Sequence, residues 1–157
     1  MSSQVVLHTA QLVRLTLISR VEEISEDLFD VQPSPFNNTI RWNIGHIIAT
    51  LDRIVFNRVF QTSMLPAGFS DYYKNGTKPS DWANIPHSKD ELLGLLKQQF
   101  SDLTEKCTDK LDEPLPEPVQ IRVHTFSTVA ELIGYAFVHE TVHSTTIANY
   151  NKLVSVQ

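Results

Sequence analysis

Apolar residues return at three- and four-residue steps in four stretches of the chain, and that period predicts amphipathic helices packed on a common core. The first stretch, from about Gln4 to Asp30, sets Val6, Ala10, Val13, Leu17, Val21, Ile24 and Leu28 on one side. Gln32-Pro33-Ser34-Pro35 ends it, because proline lacks an amide donor and biases the preceding residue away from the helical region. The second begins at Asn38-Thr39, either of which can cap free amides, and runs to about Phe60. Ile44, Ile48, Leu51 and Val55 form one stripe. Trp42, His46, Ala49, Arg53 and Phe60 form another on roughly the opposite side, so this helix is expected to pack on two sides. The third opens on Ser88-Lys89-Asp90-Glu91, a capping box in which serine and glutamate satisfy each other's amides, and fades near Cys107. The fourth opens on a second box, Thr128-Val129-Ala130-Glu131, and reaches about Val154.

Two connections are long. Thr62 to His87 is rich in Gly, Pro, Asn and Ser, with Tyr72, Tyr73 and Trp82 among them. Connections of that length tend to be functional or to cross the domain. Leu111 to Phe126 holds three prolines and a short alternation, Val119-Gln120-Ile121-Arg122-Val123, which suits a small hairpin. The expected fold class is therefore all-α: one domain over residues 1–157, a four-helix bundle with long crossover connections and a small hairpin before the last helix.

Composition narrows the function classes. A length of 157 residues suits one domain. Lys and Arg (13) are outnumbered by Asp and Glu (18), for a net charge of −5. Nucleic acid is thereby disfavoured as a partner, since phosphates call for a basic face. The single cysteine, Cys107, excludes an intrachain disulfide and fits a reducing compartment. It is read as a packing thiol, because no histidine or cation cluster adjoins it in sequence. No window approaches the ~20 apolar residues of a membrane span. The N-terminus lacks a basic segment followed by a pure apolar run, so the expected location is the cytoplasm, with no membrane partner.

The chemistry lies in the histidines. The clearest stripe of the fourth helix reads Leu132, Tyr135, Ala136, His139, His143, Thr146, Ile147, Tyr150 and Val154. Spacing of four residues puts His139 and His143 within reach of one ion. Neutral imidazoles in a core need partners for a donor and an acceptor each, and a metal ion supplies one of them. A lone histidine there is more often a satisfied core residue; a pair with His46 on a helix of the same bundle favours a metal site. His8, His87 and His124 are read as bystanders.

His139-Glu140-Thr141-Val142-His143 also spells the H-E-x-x-H string of zinc proteases. That chemistry needs a third ligand, generally downstream, and no His, Asp, Glu or Cys follows His143. Glu140 falls about 80° around the helix from the two histidines, as a flanking residue or a helix-edge carboxylate.

The block Arg41-Trp42-Asn43-Ile44-Gly45-His46-Ile47-Ile48 resembles the W-x-x-G-H segment of the DinB-like four-helix-bundle proteins. Thr128-Val129-Ala130-Glu131-Leu132, followed by His139-Glu140-Thr141-Val142-His143, resembles that family's last helix. The resemblance implies up-down-down-up winding, frequent dimers, and a nickel, zinc or similar divalent ion held by one histidine of the second helix and two of the fourth. These map onto His46, His139 and His143. It also implies transfer of a low-molecular-weight thiol, such as bacillithiol, to an electrophile; the alternatives are a metal-dependent hydrolase on the same site, or a non-catalytic metal-binding or ligand-binding stress protein. Whether the chain is an enzyme stays open at this point. Candidate catalytic residues are Glu140, Tyr135 and Arg53, the last as a cation for a carboxylate of the thiol cosubstrate. The face of the fourth helix bearing Gly134, Phe137, Thr141, Ser144 and Ala148 is small and partly apolar, a candidate homodimer surface.

Overall fold

The computed structural model describes residues 3–156. Four long helical segments form where the periodicity places them, and the chain is mostly helical with one small antiparallel sheet. Helix α1 spans Gln4–Glu23. Helix α2 spans Ile40–Leu51, passes into a π-helical turn at Asp52–Phe56, and finishes as α3, Asn57–Phe60. Helix α4, Phe69–Tyr73, lies inside the long connection. Helix α5 spans Lys89–Cys107 and α6 spans Val129–Val154. Both capping boxes form as read: the Ser88 hydroxyl accepts from the Glu91 amide, and Thr128 from the Glu131 amide.

Strands β1, Pro114–Ile121, and β2, His124–Thr128, pair antiparallel just before α6. The hairpin is longer than the alternation indicates. Pro114, Pro116 and Pro118 are exposed on β1, which has only one neighbour and so can spare the missing donors.

One helix end differs from expectation. Helix α1 stops at Glu23 rather than Asp30: Ile24 is extended, and Glu26–Leu28 form a single 3-10 turn. Ile24 is still buried and Leu28 still packs on the same apolar cluster, although the helix has ended. Arg41 binds Glu26 and Asp30 and fixes this corner against α2.

The core has two apolar clusters. One includes Leu17, Val21, Ile44, Ile48, Leu92, Leu96 and Ile147; the other includes Leu7, Ala10, Leu51, Val55, Leu103, Leu132 and Ile133. A buried polar layer falls at the boundary between them on each helix. Arg14 (α1) donates to both carboxylate oxygens of Glu140 (α6), at 2.9 and 2.8 Å, and to the Leu96 carbonyl at 2.8 Å. Gln99 (α5) accepts from Arg14 and donates to the Ile48 carbonyl of α2.

This layer corrects the wheel drawn for α6. The inward residues there include Ile133, Ala136, Phe137, Glu140, Ser144 and Ile147, while His139 and His143 are half-buried at the margin of that face. Glu140 is no helix-edge carboxylate: it is 1% exposed, at the centre of the packed side. Two residues of the candidate dimer face turn inward as well. Phe137 is buried beside Phe100 and Arg14, and Ser144 is buried and bonded to Arg20. A carboxylate paired with a guanidinium can be buried, and sequence alone does not show that partner.

Candidate metal centre

Every residue of α2 is buried, and the segment Trp42 to His46 is shaped by what packs on it. Thr39 caps the helix, accepting from the Trp42 amide. The connection between α3 and α5 folds over its outer side and brings Tyr73 onto Gly45. A Cβ at position 45 would lie 2.3 Å from the Tyr73 ring, so only glycine permits this approach. The Tyr73 carbonyl thereby comes 2.7 Å from His46 Nδ1. Trp42 stacks on the other side of the His46 ring, 4.6 Å between centroids and 11° between planes, and its indole N–H donates to Thr77 of the same connection.

His46, His139 and His143 come together. Ring centroids are 5.1 Å apart for His46 and His139, 4.6 Å for His46 and His143, and 4.5 Å for His139 and His143. One nitrogen from each lies within 4.8 Å of the other two, a group that could hold a metal ion.

The surroundings set which nitrogen that is. A carbonyl oxygen can only accept, so His46 Nδ1 carries the proton toward Tyr73 and leaves Nε2 as the acceptor. For His143 the partner is the Asn43 side-chain oxygen, 2.8 Å from Nδ1. The Asn43 amide cannot be reversed without loss, since its Nδ2 donates to the Thr39 carbonyl at 2.8 Å and to Asn38 at 2.9 Å. His143 Nδ1 is therefore the donor, and its Nε2 is also left as the acceptor. Such outer partners orient metal-binding imidazoles and raise their basicity. Thr50 reaches His46 Nε2 at 3.4 Å.

All three rings are held neutral, the form a metal needs. Burial pushes His139 down to about 3, with repulsion from His143, His46 and Arg53 adding to it. Burial and the charge of His46 push His143 down to about 4. Burial also lowers His46, against the opposing Tyr73 bond, and Arg53 lowers it further.

The three candidate catalytic residues separate. Glu140 has both oxygens committed to Arg14 and stands outside the imidazole group. Tyr135 is half-buried and packs its ring on Phe126 of β2, 5.3 Å away. Arg53 is exposed, yet close enough for its charge to act on His46 and His139.

Cys107 is buried, and that burial pushes its thiol up to about 11, in keeping with a packing role. His8 and His124 are exposed and outside the cluster. His87 is not a bystander to the fold, for it hydrogen-bonds the Tyr73 hydroxyl at 3.0 Å. Sequence reasoning missed Asn43 and Tyr73 as supports. Asn43 had a signal, one turn inside a cap and three residues before His46; Tyr73, in a stretch without period, had none.

A family model described as the DinB superfamily matches residues 10–147, which takes in all three histidines. No curated protein matches the chain.

Proposed function

The chain belongs to the DinB superfamily, and from that membership and the converging imidazoles we propose that it is a metal-dependent enzyme transferring a low-molecular-weight thiol, of the bacillithiol type, to an electrophile. His46, His139 and His143 hold the ion, nickel or zinc. The observation that carries this reading is the approach of three neutral ring nitrogens to within 4.8 Å of one another. Their donor chemistry fits a divalent ion: borderline nitrogen ligands, uncharged, with two of the three tautomers set by Tyr73 and Asn43. When bound, an ion on three neutral ligands would keep its full charge and supply acidification of a water or thiol.

The chain's own residues hold the imidazoles in place. Tyr73 and Asn43 fix the rings of His46 and His143, and Trp42 covers one side of His46. Three protein ligands rather than four favour a catalytic site over a structural one. The commitment of Glu140 to Arg14 argues against hydrolysis of the zinc-protease kind, which requires that glutamate as a free base. On this reading it acts in the cytoplasm, as a homodimer, on a small thiol and an electrophile. No described helix is long and apolar enough to cross a membrane.

The test is conjugation of bacillithiol or glutathione to monochlorobimane by the metal-loaded protein. A rate above that of the metal-free protein, lost in His139→Ala, is expected. Equal rates with and without metal would rule out transfer of these thiols.

A further inference from the structure

Beside the imidazole cluster, the connection from α3 to α5 leaves a cleft of about 200 Å³, mostly apolar in surface but lined by two cationic residues, Arg53 and Lys74. Thr50 of α2 and Arg53 of the π turn form one wall; Ser70 of α4, with Lys74 and Asn75 just after it, form the other. Thr50 belongs to both places, lining the cleft while its hydroxyl lies 3.4 Å from His46 Nε2. The cleft therefore adjoins the His46 Nε2 edge of the cluster.

Arg53 makes no hydrogen bond or ion pair among the described residues, whereas Lys74 shares its charge with Asp71 at 2.8 Å. An unpaired guanidinium next to a group suited to a dication is repelled by it, and a negative group lying between the two would remove that cost. The planar fork of arginine matches carboxylate and phosphate oxygens two at a time. The cleft is smaller than the ~300–1,000 Å³ usual for a drug-sized ligand, so it suits one functional group of a molecule and not the whole.

We propose that this cleft is an anion subsite in which Arg53, with Lys74 as second cation, takes a carboxylate or phosphate group of a small molecule whose other end reaches the three imidazoles. The substrate class is thus an anionic small molecule, and for the proposed transfer an anionic thiol. The inference rests on the function above for what happens at the metal end; the anion contact stands apart from it.

The two can be told apart on metal-free protein labelled with ¹⁵N and titrated with succinate and, separately, inorganic phosphate, with succinamide as the uncharged control. Saturable shifts are expected for the Arg53 side chain and for the amides of Ser70, Lys74 and Asn75. Saturation by succinate alone assigns the site to carboxylates, and by phosphate alone to phosphates. Arg53→Gln should weaken binding roughly tenfold to a hundredfold, the scale of a lost charge-assisted pair. Lys74→Gln should weaken it less, and both variants should keep the wild-type helical spectrum. Shifts that never saturate, that are matched by succinamide, or that persist unchanged in Arg53→Gln would overturn the subsite. A saturable anion site in a protein that takes up no metal would instead leave the subsite standing and remove the metal-dependent function.

Discussion

Asn43 shows how much one side chain can decide. Its oxygen accepts from His143 Nδ1 because its nitrogen is already spent on Thr39 and Asn38, and that choice leaves Nε2 as the unprotonated nitrogen of His143. Asn43→Leu should lower metal affinity roughly tenfold to a hundredfold, the range for loss of a partner behind a ligand. Competition against a metal-binding dye would measure this, with far-UV circular dichroism showing helicity retained. An affinity equal to wild type would show that the asparagine does not orient the ring. At this scale the ligands are legible in the sequence, since His139 and His143 recur at the spacing of one helical turn and His46 shares a stripe with Trp42. Their supports are much less so. Gly45 hints at a close approach, but only the folded chain shows that the approaching group is Tyr73, from a connection with no pattern to read.

Among the elements, the ends fixed by local chemistry are the ones that sequence locates well. Ser88 with Glu91, and Thr128 with Glu131, start α5 and α6 at the residues expected. Where the end depends on a distant partner, pattern misleads: Ile24 and Leu28 keep the apolar period beyond the end of α1, and the guanidinium that shapes this corner comes from Arg41. The same limit explains Glu140, whose place at the centre of the buried side of α6 depends on Arg14, 126 residues away in sequence. Removing one partner strands the other charge in the core. Arg14→Met should therefore cost about 3–5 kcal/mol, read from urea unfolding. Arg14→Met combined with Glu140→Met should recover much of that loss. A single variant as stable as wild type would mean the pair does not carry the α1–α6 contact. Because Glu140 lies one residue after His139, the double variant also reports whether the pair sets the rotation of α6: if it does, metal affinity stays low even where stability returns.

The molecule as a whole concentrates uncharged imidazoles at one level of its core, and this ties its stability to pH. His139 and His143 titrate at about 3 and about 4 in the folded chain, against an ordinary value of 6.5. The unfolded chain therefore takes up protons first as pH falls, and proton uptake by the unfolded state draws the equilibrium toward unfolding. The metal-free protein should be fully supported by these residues above pH 6.5 and lose that support progressively as pH drops through 4 toward 3. Glu26, Glu91 and Glu131, held below their ordinary 4.5 by hydrogen bonds, add their own loss only in the more acid part of this range. Urea midpoints at pH 7 and pH 5 thus isolate the imidazoles: the midpoint should fall between them, and His139→Asn should flatten the change. A midpoint that rises toward pH 5 would contradict the neutral cluster.

Elemental analysis of the protein purified without chelators, followed by titration of the stripped protein with zinc and nickel, tests the cluster most directly. One ion per chain is expected for the wild type, and almost none for His143→Ala at unchanged helicity. Stoichiometric metal in His143→Ala, or a wild type that takes up neither ion, would contradict a centre built on His46, His139 and His143.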